Sequence, residues 1–241
     1  MPQVTIGCFD EHLPSVARES TVVAIDVIRA TTTAITAVAA GHRVYPAGSM
    51  EAAVRLAADL DRPILAGELG GVRPYGFDMQ NSPCEMHDMK DCSRPMIVLS
   101  TSGTRLMIEG ADRGVCHPAC LRNASAQARH LVRAGADVVL LAADSRGEFR
   151  EEDRLCAARI TRVLVEAGHS LSDRLTAEVL ERWGDAPDDA FLHGRSARYL
   201  RDTAQEHDLD FVLEHIDDLS SVYAVENGEV RELTSSAARA R

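Results

Sequence analysis

The sequence predicts an α/β fold: a layered, largely parallel or mixed sheet with helices on both faces and a C-terminal β-hairpin. Two observations predict it. Across residues 21–143, strand-length runs of β-branched and aliphatic residues alternate with segments of helical pattern. Near the end, VYAV and VREL flank Asn227-Gly228, a pair that favours the tight turn of a hairpin. Repeated alternation of this kind implies strands that run mostly parallel, each followed by a covering helix.

Each element has its own signal. Residues 21–28 (TVVAIDVI) form a strand, and the Thr- and Ala-rich stretch after them reads as a helix ended by Gly41. Residues 43–47 are a short strand, Ser49 caps a helix over 50–60, and 63–66 are a buried-type strand. A Gly/Pro-rich loop over 67–81 leads to Ser82-Pro83-Cys84-Glu85. There Ser82 is the N-cap, Pro83 takes the first helical position and Glu85 closes a capping box. Residues 96–100 are a strand, 104–111 a helix, 114–116 a strand, and 123–134 a helix stopped by Gly135. Residues 137–143 (DVVLLAA) are the most strand-like segment of all. Beyond them, 151–167 form a long amphipathic helix, and the chain stays helical to about Asp208, with Ser172 and Ser196 as starts. No repeat, low-complexity tract or linker divides the chain. The expectation is one α/β domain over 1–241, with a more helical subregion at 151–208.

Composition narrows the function. With 45% hydrophobic residues in 241, the chain can bury an ordinary core. Apolar runs such as 138–143 fall far short of the roughly 20 residues of a membrane span, and the N-terminus lacks a basic region followed by an apolar block. The six cysteines are scattered without compact spacing, which favours reduced thiols and a cytoplasmic setting. Net charge is -11 and the arginines are dispersed, which argues against nucleic acid. The expected partner is a small anionic molecule, without membrane or nucleic acid, and homo-oligomerisation is left open. An acidic protein that binds an anion needs a local positive site, from a metal or from Arg and a helix N-terminus.

In parallel sheets ligands sit beyond the carboxyl ends of the strands. Those ends carry Asp26 and Arg29 with Thr31 to Thr33, Glu68 with Asp78, Ser100 to Arg105, and Asp144 with Glu148, Glu152 and Asp153. Carboxylates and phosphate-type donors recur together, a set that suits Mg²⁺. Read blandly, each is a helix cap or a solvated acid. Ser100-Thr101-Ser102-Gly103-Thr104-Arg105 follows a strand and opens a helix, so its backbone N–H groups can hold an oxyanion, with Gly103 permitting close approach and Arg105 offering a clamp. Arg29-Ala30-Thr31-Thr32-Thr33 follows the same logic. Asp26, set among apolar residues, needs a metal, an Arg or backbone donors, unless it simply caps the next helix.

Asp26-Val27-Ile28-Arg29-Ala30-Thr31-Thr32, Gly67-Glu68, Gly76-Phe77-Asp78, Asn81-Ser82-Pro83 and Thr101-Ser102-Gly103-Thr104-Arg105 occur in an order that resembles the 2-phosphosulfolactate phosphatase family. Asn123-Ala124-Ser125-Ala126, Gly147-Glu148-Phe149 and Glu152-Asp153 with Cys156-Ala157 continue the match over most of the chain. The resemblance implies a Mg²⁺-dependent hydrolase that converts 2-phosphosulfolactate to sulfolactate and phosphate, a step toward coenzyme M. The chain departs from the family pattern at Leu69, where Arg usually stands, at Gln80 for Gly, and at Ser102 for Asn.

The resulting expectation is metal-assisted hydrolysis. Asp26, Glu68 and Asp153 are the metal candidates, and Asp26, Arg29 and Arg105 the catalytic ones. Asp26 orients the attacking water or acts as nucleophile. Thr31, Thr32, Asn81, Ser82, Thr101, Ser102, Gly103 and Thr104 are the substrate-binding candidates. Two rivals stand beside it. Cys116 and Arg122 have the spacing of a cysteine-dependent phosphatase, though without the glycines its loop needs. The change at Leu69 suits a non-catalytic binder of phosphorylated or sulfonated acids. Cys84, His87 and Cys92, or Cys116, His117 and Cys120, do not make a four-ligand zinc set at familiar spacing.

Overall fold

The computed structural model describes residues 1–144 and 148–233. Gly147, in one of the motifs above, lies outside the described residues. In chain order the first elements are β1 (Gln3–Cys8), α1 (Phe9–His12), β2 (Ser20–Ile25), α2 (Ala30–Ala39), β3 (Val44–Ala47), α3 (Met50–Asp59) and β4 (Ile64–Gly67). Next come α4 (Pro83–His87), β5 (Met96–Leu99), α5 (Gly103–Ala111), β6 (Gly114–Ala119), α6 (Ala124–Ala134) and β7 (Val138–Ala142). The last are α7 (Glu151–Glu166), β8 (Ser170–Leu171), α8 (Arg174–Trp183), α9 (Arg195–Asp202), α10 (Glu206–Glu214), β9 (Tyr223–Glu226) and β10 (Glu229–Glu232).

The strands build two five-stranded sheets with helices around them, which is the α/β class expected. The first sheet has the order β6-β2-β7-β1-β8, and its pairings are all parallel. The second has the order β4-β5-β3-β10-β9, with β3, β4 and β5 parallel and the C-terminal hairpin antiparallel against β3. The sequence reading also lacks α1 and the short β8, and differs most at β1 and β6. β1, which that reading lacks, lies between β7 and β8, with Val4 and Ile6 fully buried. Its signal is the alternation Gln3-Val4-Thr5-Ile6. β6 runs on through His117-Pro118 to Ala119, and the proline is tolerated because β6 is an edge strand.

The caps are partly as expected. Ser49 Oγ accepts from Ala52 N–H, and Ser82 Oγ accepts from Glu85 N–H at 3.1 Å. The Ser82 N–H, however, donates to the Gln80 carbonyl, so the capping box is only half formed. Asp173, not Ser172, caps α8, since its carboxylate accepts from Thr176 N–H. α9 starts at Arg195 behind Gly194, one residue before Ser196.

The core follows from these pairings. Val22 to Ile25 and Leu140 to Leu141 are fully buried between helices such as α7, whose Leu155, Cys156, Ala157, Ala158, Ile160 and Leu164 face inward. Leu140 sits opposite Ile6 on one side and Val23 on the other, on the middle strand of the first sheet. Leu140→Ala is expected to lower stability in urea unfolding by roughly 2–5 kcal/mol. A loss below about 1 kcal/mol would mean the site collapses without leaving a cavity.

Candidate active site

The carboxyl ends of β2 and β7 in the first sheet and of β4 and β5 in the second open into one cavity of about 260 Å³. Asp26, Asp144, Glu68 and the Thr101-Ser102 turn stand immediately beyond those four strand ends and line it. Asp153 joins them from the first turn of α7, and Asn81 from the loop before α4. Chain segments far apart in sequence therefore meet at one place, and they do so because the strands that carry them end there.

Asp26 sits where the first turns of α2 and α5 converge. A Cβ placed on Gly103 would lie 2.0 Å from Asp26 Oδ2 and 2.7 Å from Ala30 Cβ, so only glycine at 103 leaves room for the carboxylate. Burial, and then the charge of Glu68, push the Asp26 carboxyl up to about 7, while the Ala30 N–H pulls the other way. Asp153 accepts from the Val27 N–H at 2.8 Å, which ties α7 to the residue after Asp26. Burial, then Glu152 and Asp26, raise its carboxyl well above the usual carboxylate range. Glu152, next to Asp153 in α7, is buried and is not among the cavity-lining residues. Neither of its carboxylate oxygens meets a hydrogen-bond partner of good geometry among the described residues, and burial pushes this carboxyl up to about 7. Asp144 is buried as well, and its Oδ1 lacks a partner among the described residues.

Glu68, one of the expected metal ligands, lines the cavity and also accepts three hydrogen bonds. Its Oε1 accepts from Thr101 N–H at 2.7 Å, and its Oε2 from Gly71 N–H at 2.6 Å and from the Thr101 hydroxyl at 3.0 Å. It staples the loop after β4 to the turn after β5. That loop is held on its outer side by Tyr199, whose hydroxyl donates to the Gly71 carbonyl at 2.8 Å.

Several expected binding groups are turned away from the cavity. The Thr31 hydroxyl donates to the carbonyls of Asp26 and Ala119 and accepts from the Asp26 N–H, and the Thr32 hydroxyl donates to Val27. Thr104 is fully buried and exchanges hydrogen bonds with Ser100. Ser82 is buried and donates to Asp208 at 2.6 Å. These hydroxyls serve the backbone and the helix ends, a use open to any Ser or Thr at a first turn. Arg105 is directed outward to Glu109 at 3.1 Å, lies over the Phe9 ring, and is not among the cavity-lining residues. Arg29, Asn81, Thr101 and Ser102 do line the cavity.

The sequence reading passed over Arg150, Arg195 and Tyr199, which close the cavity from the C-terminal half. Arg150 and Arg195 both pair with Glu148. With Arg29 they place three guanidinium groups around the acids, and Leu69, 42% exposed, contributes none. The rival cysteine site fails on geometry. Cys116 lies inside buried β6 with its thiol pushed up to about 12 by burial, and Arg122 is held by Asp218 at 2.6 Å. No three His, Cys, Asp or Glu side chains among the described residues are placed to hold a metal unaided.

Acids and guanidinium groups lining one cavity, at the strand ends of an α/β fold, suit hydrolysis of phosphate monoesters, and the relatives of the chain are named as phosphatases. Its residues 9–228 match the 2-phosphosulpholactate phosphatase family, and the chain belongs to that family. It is similar to the probable 2-phosphosulfolactate phosphatase of Carboxydothermus hydrogenoformans, 36% identical over 62% of this chain and 63% of that protein. The protein of the same description from Caldanaerobacter subterraneus subsp. tengcongensis is 31% identical over 89% of this chain and 91% of its own length. A third, from Deinococcus radiodurans, is 31% identical over 84% of each.

The acid cluster makes a pH prediction. A carboxyl raised from 3.8 to about 7, as for Asp26, or from 4.5 to about 7, as for Glu152, binds more protons folded than unfolded. Its stabilising effect is complete below the unfolded value and is lost as pH rises through the folded one. The protein is therefore expected to melt at a lower temperature at pH 8 than at pH 5.5. Calorimetry showing equal melting at both pH values would contradict this.

Proposed function

We propose that the protein is a Mg²⁺-dependent phosphatase acting on a small, doubly anionic phosphate monoester. 2-Phosphosulfolactate, the compound in its relatives' names, is the first candidate. Its product, sulfolactate, would then serve coenzyme M formation. The observation that carries the reading is one cavity lined by both Asp26, Asp144 and Asp153 and by Arg29, Arg150 and Arg195.

The residues present fit a hard divalent cation. Asp26, Asp144 and Asp153 offer carboxylate oxygens to the cavity, and the Asp144 oxygen without a partner is of the kind that a cation satisfies. With no three groups converging unaided, such an ion would take much of its shell from water and substrate oxygens, as Mg²⁺ commonly does. When bound, it supplies Lewis-acid polarisation of the phosphoryl oxygens and offsets the carboxylate charge.

The chain itself supplies placement. Arg29 offers a phosphoryl oxyanion a planar fork of donors, and the first turn of α5 adds backbone N–H groups at Ser102 and Gly103. Asp26 adjoins both, and is the group assigned to orient the attacking water and receive its proton. Asp153, fixed by the Val27 N–H, holds the wall behind it. Arg150 and Arg195 face the second anionic group of the substrate. The Glu68 staple and Tyr199 keep the loop at Gly70-Gly71 against this end of the cavity. A sulfonate or a carboxylate at the far end meets the same guanidinium chemistry, so the fold favours doubly charged esters over singly charged ones.

Phosphate release from a panel of phosphorylated acids, with and without Mg²⁺, tests the reading. Turnover is expected only with the cation, and is expected to be higher for 2-phosphosulfolactate than for singly anionic esters. Asp26→Asn should lower kcat by on the order of 10²–10⁴ while leaving the melting temperature unchanged or raised, because a buried charge is removed. Near-wild-type turnover in that variant, or saturable binding without turnover by the wild type, would count against it.

A further inference from the structure

Arg29 lines the cavity yet is only 5% exposed, and its position depends on a segment 179 residues away. Its Nη1 donates to Asp208 Oδ2 at 2.6 Å and to Gln205 Oε1 at 2.6 Å. A guanidinium Nη carries two N–H bonds, so both on Nη1 are committed. The Nε–Nη2 edge makes no hydrogen bond among the described residues. That edge is the one whose two parallel N–H bonds match a pair of oxyanion oxygens.

Asp208 is wholly buried in the first turn of α10, where the helix end favours a negative charge. Its second oxygen accepts from the Ser82 hydroxyl at 2.6 Å and from the Cys84 N–H at 3.3 Å. Gln205, the residue before α10, accepts in addition from Gln80 Nε2 at 3.2 Å, and the same Gln80 nitrogen donates to the Gly71 carbonyl at 3.0 Å. One carboxylate and two amides thus connect Arg29, the start of α4 and the cavity loop.

We infer that Asp208, assisted by Gln205, is a positioning residue that fixes the Arg29 guanidinium with its Nε–Nη2 edge toward the bound oxyanion, a role that rests on the phosphate monoester reading of the cleft. A purely structural ion pair would need only the contact, not a particular free edge. The two acceptors on a single Nη set the plane of the guanidinium as well as its location. Without them, a long side chain with several rotatable bonds would have to be ordered by the substrate at each encounter.

The experiment is a double-variant cycle on 2-phosphosulfolactate hydrolysis with Asp208→Asn, Gln205→Ala, Arg29→Lys and the pair Asp208→Asn with Arg29→Lys. Asp208→Asn is expected to lower kcat/KM by on the order of 10². Gln205→Ala should give a smaller fall at unchanged melting temperature, with both effects largely in KM. The pair should lose little more than Arg29→Lys alone, because both variants remove one arrangement. Losses that multiply, or wild-type kcat/KM in both Asp208→Asn and Gln205→Ala, overturn the inference. Should Asp208→Asn fail to fold, Gln205→Ala takes its place in the cycle under the same criteria. Crystal structures of the wild type and Gln205→Ala decide the positioning separately: an Arg29 guanidinium turned out of its plane supports it, and one left in place overturns it. That comparison needs no turnover, so a wild type inactive on every phosphate ester would sink the functional reading and not this one.

Discussion

Glu152 and Asp153 are carboxylates withdrawn from water, and Asp26 a half-buried one, around the end of one parallel strand, where α2, α5 and α7 all begin. Glu152 raises the proton affinity of both Asp26 and Asp153, Asp26 adds to that of Asp153, and an unpaired buried carboxylate is unfavourable by several kcal/mol. Only a few things can offset that: protons, a cation, backbone N–H groups or a guanidinium. The surroundings offer the last two directly, in Val27 N–H for Asp153, the first turn of α2 for Asp26, and Arg29 in the same cavity. The opening of the cavity leaves room for the others. A core built for stability alone would place apolar residues there, so the cluster is best understood as stability given up for a site.

The two sheets divide the work. The parallel sheet carries the acids, through β2 and β7, and the mixed sheet carries the oxyanion turn, through β4 and β5. Within the mixed sheet, Glu68 ties the end of β4 to the turn after β5. The C-terminal helices complete the far wall with Arg195 and Tyr199 and, through Asp208, hold Arg29. Leu69 is therefore less damaging to anion binding than it looks in the sequence, because guanidinium groups reach the cavity from positions 29, 150 and 195. Gln80 has a defined use as well, bridging the cavity loop to Gln205.

Much of the fold was legible because its signals are local. The alternation from β2 to β7, the Asn227-Gly228 hairpin and the Ser82-Pro83 helix start each depend on neighbours in sequence. Strand ends also pointed to Asp26, Glu68, Asp144 and Asp153, which line one cavity, since parallel topology fixes where strand ends gather. What the sequence hid was the direction of side chains. Thr31, Thr32 and Thr104 look like phosphate donors in a string of residues, yet each hydroxyl satisfies nearby backbone or a side chain four residues away. Arg105 looks like a clamp, yet helical geometry aims it at Glu109, four residues on. Residues 195–208 look featureless because their partners, Gly71, Glu148 and Arg29, are supplied only by tertiary packing.

A divalent cation of the kind proposed for the cavity would have to replace protons on the acid cluster. Titration calorimetry of Mg²⁺ binding at pH 7, repeated in buffers of different ionisation enthalpy, counts the protons released per ion bound. Net proton release at pH 7 that shrinks toward zero by pH 9 is the predicted result. Saturable Mg²⁺ binding with no proton release at pH 7 would contradict it.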